Sequence, residues 1–215
     1  MVVWDQCVDL LRAAIFAYAQ ACGGNLGVGI VGVTFLVRMV MFPLTLRLAR
    51  ISAAHQELMR KLKPELDRIR ERFRNKPERM RQEMQRVFQR EGVSPLPLKG
   101  CLGAVAQMPI LLALFAAVRG CVPAGGRFLW IRNIAKPDLV LTVAVTALTY
   151  ATVAIGASST NQNKALTIAI PAMITFFVLL RMSAGIGLYW GVSSMASLLQ
   201  TTIIRRERLA AERAS

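Results

Sequence analysis

The chain has 215 residues, 54% of them hydrophobic, and its 27 Lys and Arg against 12 Asp and Glu leave a formal net charge of +15. A nucleic-acid binder of that charge would not be so apolar, so the composition points to a polytopic membrane protein whose cations gather outside the lipid. Four scattered cysteines with no C-x-x-C pair and one histidine, His55, exclude a clustered zinc site and give no reason to expect a metal or cofactor.

In residues 1–25, Trp4, Val8, Leu11, Ile15 and Tyr18 recur at helical spacing. They predict an amphipathic helix lying on the outer membrane surface or packed on a bundle. Asp5, Asp9 and the lack of a basic leader argue against a cleavable signal peptide, and Gly23-Gly24-Asn25 ends the helix.

Residues 26–46 are an apolar stretch of spanning length that contains one arginine, Arg38. A cation at mid-span costs roughly 2.5–3.5 kcal/mol on insertion scales. Arg38 therefore either snorkels toward the basic end that begins at Arg47 or points into a hydrated pocket. Thr34, one turn earlier on the same face, adds a second polar group and favours the pocket.

Pro43 allows a kink, and residues 47–98 are polar, with fifteen Lys or Arg and seven Asp or Glu between Arg47 and Lys99. Leu58, Leu62, Leu66, Ile69 and Phe73 form one apolar stripe, interrupted by Pro64. Met80, Met84, Val87 and Phe88 form another beyond the Asn75-Lys76-Pro77 turn signal. The two stripes predict an antiparallel helical hairpin outside the membrane, closed by Ser94-Pro95-Leu96-Pro97.

A second span is predicted over 101–118 and contains Gln107-Met108-Pro109, where Gln107 serves either as an interhelical hydrogen-bonding residue or as pocket lining. Residues 119–137 read as an outer loop whose Phe128, Trp130 and Ile131 suit the interface belt. The third span, 138–157, places Thr142, Thr146, Thr149 and Thr152 along one face, although such threonines commonly bond back to their own helix. Residues 158–164 form a short polar loop, 165–180 a fourth span with Pro171, and 181–185 an outer turn. The fifth span, 186–204, pairs Gly187 with Gly191 for close helix approach, and 205–215 is a basic tail. Cys7, Cys22 and Cys121 then share the outer side, which leaves a disulfide among them open. With the hairpin, the 158–164 loop and the tail inside, twenty cations face six, so the amino terminus is expected outside and the carboxyl terminus in the cytoplasm.

The arginine-bearing span with Arg38-Met39-Val40-Met41-Phe42-Pro43, the basic hairpin, Gln107-Met108-Pro109-Ile110, Leu129-Trp130-Ile131 and Gly187-Leu188-Tyr189-Trp190-Gly191-Val192-Ser193 occur in that order. Together they resemble the YidC/Oxa/Alb family of membrane protein insertases, and the resemblance covers essentially the whole chain. It implies an all-α membrane fold in the bacterial inner membrane, with five transmembrane helices around a hydrophilic groove open to the cytoplasm and to lipid. It implies that Arg38 receives polar or acidic parts of incoming chains, with Thr34, Gln107, Trp190 and Ser194 as its groove neighbours. The hairpin would capture substrates through residues such as Leu58, Leu62, Phe73, Met80 and Met84. Implied partners are nascent membrane proteins and the bilayer, with a ribosome contact at the tail; action alone and action beside the Sec translocon both stay open. No catalysis is implied.

A secondary transporter or channel is the main competing reading, but every acidic residue lies outside the predicted spans or at their edges, where no proton or cation relay could use it. An intramembrane protease lacks a base near any membrane serine, since His55 sits in the hairpin. No Walker loop is present. Net charge alone does not make a specific nucleic-acid partner when a basic face beside a membrane explains it.

Overall fold

The computed structural model describes the backbone of residues 2–92, 98–156 and 164–214, with side chains for 4–92, 108–156, 165–210 and 213. The elements are α1 (Val2–Ala21), α2 (Leu26–Arg72), α3 (Pro77–Arg90), α4 (Leu98–Cys121), α5 (Leu139–Gly156), α6 (Lys164–Arg181) and α7 (Ala184–Ala214), with a 3₁₀ turn at Val122–Ala124. The chain divides into two compact units, Met1–Leu44 with Gln107–Ser215, and Thr45–Ala106.

Two of the expected boundaries are not breaks in secondary structure. Pro43 and Pro64 both lie inside α2, which is one helix of 47 residues. A proline removes a single backbone donor, and the segment around Pro43 has neither a glycine nor a turn signal to end the helix there. Likewise α7 continues through the fifth predicted span into the basic tail. The predicted stop at Ser94-Pro95-Leu96-Pro97 and most of the 158–164 loop lie outside the described residues.

The first unit is built on a continuous apolar core contributed by α1, α2, α4, α5, α6, α7 and the loop before α5, with Ile15, Ile30, Leu114, Val118, Ile134 and Val145 at its centre. Helix α1 enters that core through Val8, Ile15 and Ala19, while Trp4 and Tyr18 of the predicted stripe stay exposed. Close packing makes this possible: a Cβ at Gly29 of α2 would lie 2.5 Å from the Ile15 carbonyl oxygen and 2.9 Å from Ala19 Cβ. Of the two placements open for α1, bundle packing is therefore present in the fold. At the other face of the bundle, α5 packs against both α6 and α7. Gly187 and Gly191 perform the predicted close approach, since added Cβ atoms would meet Leu141 at 2.8 Å and Val145 at 3.2 Å.

The loop before α5 is tied down by its backbone. Phe128 and Ile131 exchange reciprocal N–H···O bonds of 2.9 and 2.8 Å, and Ala184 and Gly185 donate to the carbonyls of Lys136 and Ile134, which seats the start of α7 on the loop. The turn forces Leu129 to a positive φ of 51°, an uncommon conformation for a non-glycine residue. Ile131 is only 2% exposed, in the core and not in an interface belt, because the reciprocal bonds turn it inward; Leu129 and Trp130 face outward instead. The Trp130 indole N–H donates to Asp138, which also caps the first turn of α5 through the Leu141 N–H. The suggested disulfide is absent among the described cysteines: Cys7, Cys22 and Cys121 are free, the first two exposed and the third buried.

Outward-facing residues of this unit include Phe35, Leu36, Val40, Val143, Ile174 and Phe177, a distribution suited to lipid. Among the described residues, two helices contain a stretch long and apolar enough to cross a bilayer, Leu26–Arg72 and Leu139–Gly156, and α4 from Met108 onward and α6 are apolar as well.

The second unit contains a two-helix hairpin. Leu62, Leu66 and Val87 are buried, and Leu58, Met59, Ile69, Met84 and Phe88 pack around them. These are the predicted stripes, except that Phe73 and Met80, at the turn end, are half-buried and outside that cluster. Pro77 starts α3, where a missing N–H costs nothing, and Glu78 sits in its first turn. Arg90 crosses from α3 to make a forked pair with Glu65 of α2 at 3.0 and 3.1 Å.

Candidate functional site

Five helices of the first unit surround a cavity of about 640 Å³. Helix α2 contributes Arg38, α4 contributes Met108, Leu111, Leu112 and Phe115, and α5 contributes Thr149, Thr152 and Val153. Pro171, Ile174 and Thr175 come from α6, and Tyr189, Trp190, Ser193, Ser194 and Ser197 from α7. Arg38 is the only one of these residues that carries a charge at neutral pH.

Its surroundings explain how the cation is tolerated. The Arg38 Nε–H donates to Ser193 Oγ at 3.2 Å, a bond between helices 155 residues apart in sequence. The guanidinium has no carboxylate partner among the described residues. An arginine presents five donors, so one bond to a hydroxyl leaves most of its hydrogen-bonding capacity directed at the cavity.

The walls are less polar than the composition of the helices suggests. Thr149 and Thr152 donate to the carbonyls of Val145 and Leu148, and Thr175 to that of Pro171. Ser197 donates to the Ser193 carbonyl. A hydroxyl that bonds back to its own helix offers the cavity only an acceptor oxygen. The site therefore combines one available cation, a few serine hydroxyls and large apolar surfaces from α4 and α6.

Trp190 and Ser194, expected beside Arg38, do line the cavity with it. Thr34 is not among the lining residues; it is 0% exposed and its hydroxyl has no partner. The turn-to-turn stacking that puts Thr34 on the arginine's face is correct, but the core closes over it one turn short of the cavity. The side chain of Gln107 lies outside the described residues. Tyr189 and Ser193 were not singled out from the sequence, although the four-residue steps Tyr189, Ser193, Ser197 place three hydroxyls on one helix face. That period was the available signal. No group of three or more His, Cys, Asp or Glu able to hold a metal ion comes together among the described residues.

Residues 17–212 match the 60Kd inner membrane protein family. The chain belongs to the YidC/Oxa/Alb family. It is 34% identical over 188 residues to the membrane protein insertase YidC of Fusobacterium nucleatum, covering 86% of this chain and 88% of that one. Against membrane protein insertase YidC 2 of Listeria monocytogenes it is 32% identical over 204 residues, 89% of this chain and 73% of the relative. The YidC of Vibrio cholerae is 34% identical over 197 residues, which span 88% of this chain but 35% of that protein. A crystal structure of an active YidC insertase with its first transmembrane domain resolved superposes with a TM-score of 0.62, covering 92% of this chain and 45% of that one at 22% identity. The fold of that insertase is thus shared over most of this chain.

Proposed function

We propose that this chain is a membrane protein insertase that draws short hydrophilic segments of substrate proteins partway through the bilayer and releases apolar segments into lipid. The observation that carries the reading is Arg38: a partly buried cation with no carboxylate partner among the described residues, facing a cavity walled by five helices. Such a group persists within an apolar helix only where water or a ligand offsets several kcal/mol. Family membership, and relatives named as insertases over most of their length, support the same conclusion.

The mechanism follows from the two kinds of wall. A polar outer segment of a substrate incurs a transfer cost at each polar group that loses water. A cavity holding a guanidinium and serine hydroxyls lowers that cost over part of the path, and it does most for carboxylates, which accept charge-assisted hydrogen bonds. The apolar walls of α4 and α6 then suit the substrate's apolar segment, whose burial in lipid at about 25 cal/mol per Å² favours release. No bond is made or broken in this sequence.

In the proposed arrangement the apolar part of α2 and helices α4, α5, α6 and α7 are the five spans, the groove opens to the cytoplasm and to lipid, and the amino terminus lies outside a bacterial inner membrane. The twenty-to-six distribution of cations supports that orientation. At about 1.5 Å per residue the 18 residues of α6 reach roughly 27 Å, just short of a typical hydrocarbon core, and such a mismatch is met by local thinning. The hairpin is proposed to capture substrates, and the basic end of α7 to contact ribosomes.

Reconstitution tests the reading. Liposomes containing only this protein should insert a small one-span or two-span substrate and protect the segment that crosses from added protease. If protection is no greater than in empty liposomes, the insertase reading is lost.

A further inference from the structure

Arg38 is tied to α7 by a hydrogen bond: its Nε–H donates to Ser193 Oγ at 3.2 Å. One turn earlier on α7, the Tyr189 O–H donates to the Leu111 carbonyl of α4 at 3.2 Å. A guanidinium only donates, so the serine oxygen is the acceptor of the first bond.

Ser193 and Tyr189 are each 7% exposed and lie one turn apart on α7, in the segment whose glycines bring it close to α5 and whose tyrosine is bonded to α4. Ser193 thus sits on a rigid element, whereas an arginine side chain on its own has a long flexible stem able to reach toward a membrane surface. We propose that Ser193 is a positioning residue for Arg38, holding its Nε edge against α7 so that its two terminal amino groups point into the cavity. The inference rests on the insertase reading for its functional consequence, but not for its geometry.

Rotamer control of this kind has a signature that general packing lacks. With Nε–H engaged, exchange of that proton with solvent is slow. It becomes fast when the acceptor is removed, even though the charge remains. In the full chain in nanodiscs, the Arg38 Nε–H resonance is assigned by its disappearance in Arg38→Lys. Ser193→Ala should speed its exchange about tenfold or more, and Ser193→Thr, which keeps the hydroxyl, should leave it slow. In liposomes, Ser193→Ala should lower insertion of a substrate with acidic outer residues several-fold more than its neutral twin, with thermal unfolding unchanged. Unchanged exchange in Ser193→Ala overturns the proposal, as does equal loss on both substrates accompanied by a fall in unfolding temperature. Should Ser193→Ala not fold, exchange in Ser193→Val that is as slow as in the isosteric Ser193→Thr overturns it. If the wild type inserts neither substrate while exchange responds as expected, the positioning stands and the insertase reading fails.

Discussion

The two units handle their arginines in opposite ways. In the hairpin, Arg60, Arg70 and Arg86 pair with Glu57, Asp67 and Glu83 three residues earlier, and Arg90 reaches Glu65 on the facing helix, all on exposed surface. In the helix bundle, Arg38 is partly buried and donates to a serine hydroxyl oxygen. Exposed pairs satisfy charges that water would satisfy almost as well. A buried cation left without a carboxylate keeps an electrostatic demand that an incoming acidic group can meet. The same side chain is thus a solubilising group in one unit and, in the proposed mechanism, a binding group in the other, and burial decides which.

The sharpest way to break this contrast is to remove the charge. Arg38→Ala should lower insertion of a substrate with acidic outer residues by roughly tenfold or more, and a neutral twin clearly less. Arg38→Lys, which keeps the charge without the planar fork, should retain much of the activity. Paired substrates in liposomes measure this, and equal losses would make the arginine a structural residue like those of the hairpin.

The units also differ in what holds them together. The bundle core draws on six helices and a loop, and its tolerance for added volume is low, whereas the hairpin rests on three buried residues and their neighbours. Gly29→Ala would drive a methyl group into the Ile15 carbonyl. Overpacking of that kind typically costs about 1–3 kcal/mol, and it should appear as a lower unfolding temperature together with protease sensitivity of α1. An unchanged melting curve would show that α1 is only loosely docked.

How much of this was legible beforehand depended on whether the signal was local. The cation in an apolar helix, the two hairpin stripes and the glycine pair at 187 and 191 are periodic patterns within single helices, and they could be read directly. The inward turn of Ile131 could not, because it follows from backbone bonds between Phe128 and Ile131 that a composition-based assignment to the interface ignores. The continuity of α2 was not legible locally either, since a proline that allows a kink does not say whether the helix goes on beyond it. Thr34 and Ser193 show the same limit at the site. Helical spacing gives the face of a residue, but the depth at which neighbouring helices close over that face, burying Thr34 and leaving Ser193 beside the cavity, is a tertiary property.

The small hairpin core predicts a difference in dynamics. Amides of Leu58–Ile69 and Met80–Phe88 should exchange faster than those of Ile30–Thr34 and Ala113–Val118, since few buried contacts oppose their opening. Deleting residues 52–90 should leave a membrane-inserted bundle with weakened substrate capture. Hydrogen exchange resolved by peptide measures the first expectation, and equal protection in the two units would mean that the hairpin is held by more than its stripes.

The smallest effect belongs to the pair that most resembles a designed contact. Arg90 meets both Glu65 oxygens, and Glu91 adds a third acceptor, so the geometry is good. Yet all three groups are exposed or nearly so, and water and salt compete for them at little cost. Glu65→Gln should therefore leave the hairpin's helicity and its exchange rates almost unchanged, and raising the salt concentration should erase what difference there is. Leu62→Ala, one turn away on the same helix, removes part of a three-residue core and should visibly accelerate exchange across both hairpin helices. If Glu65→Gln loosened the hairpin as much as Leu62→Ala did, its arginines would be structural in their own right, and the contrast with Arg38 would have to be drawn from something other than burial.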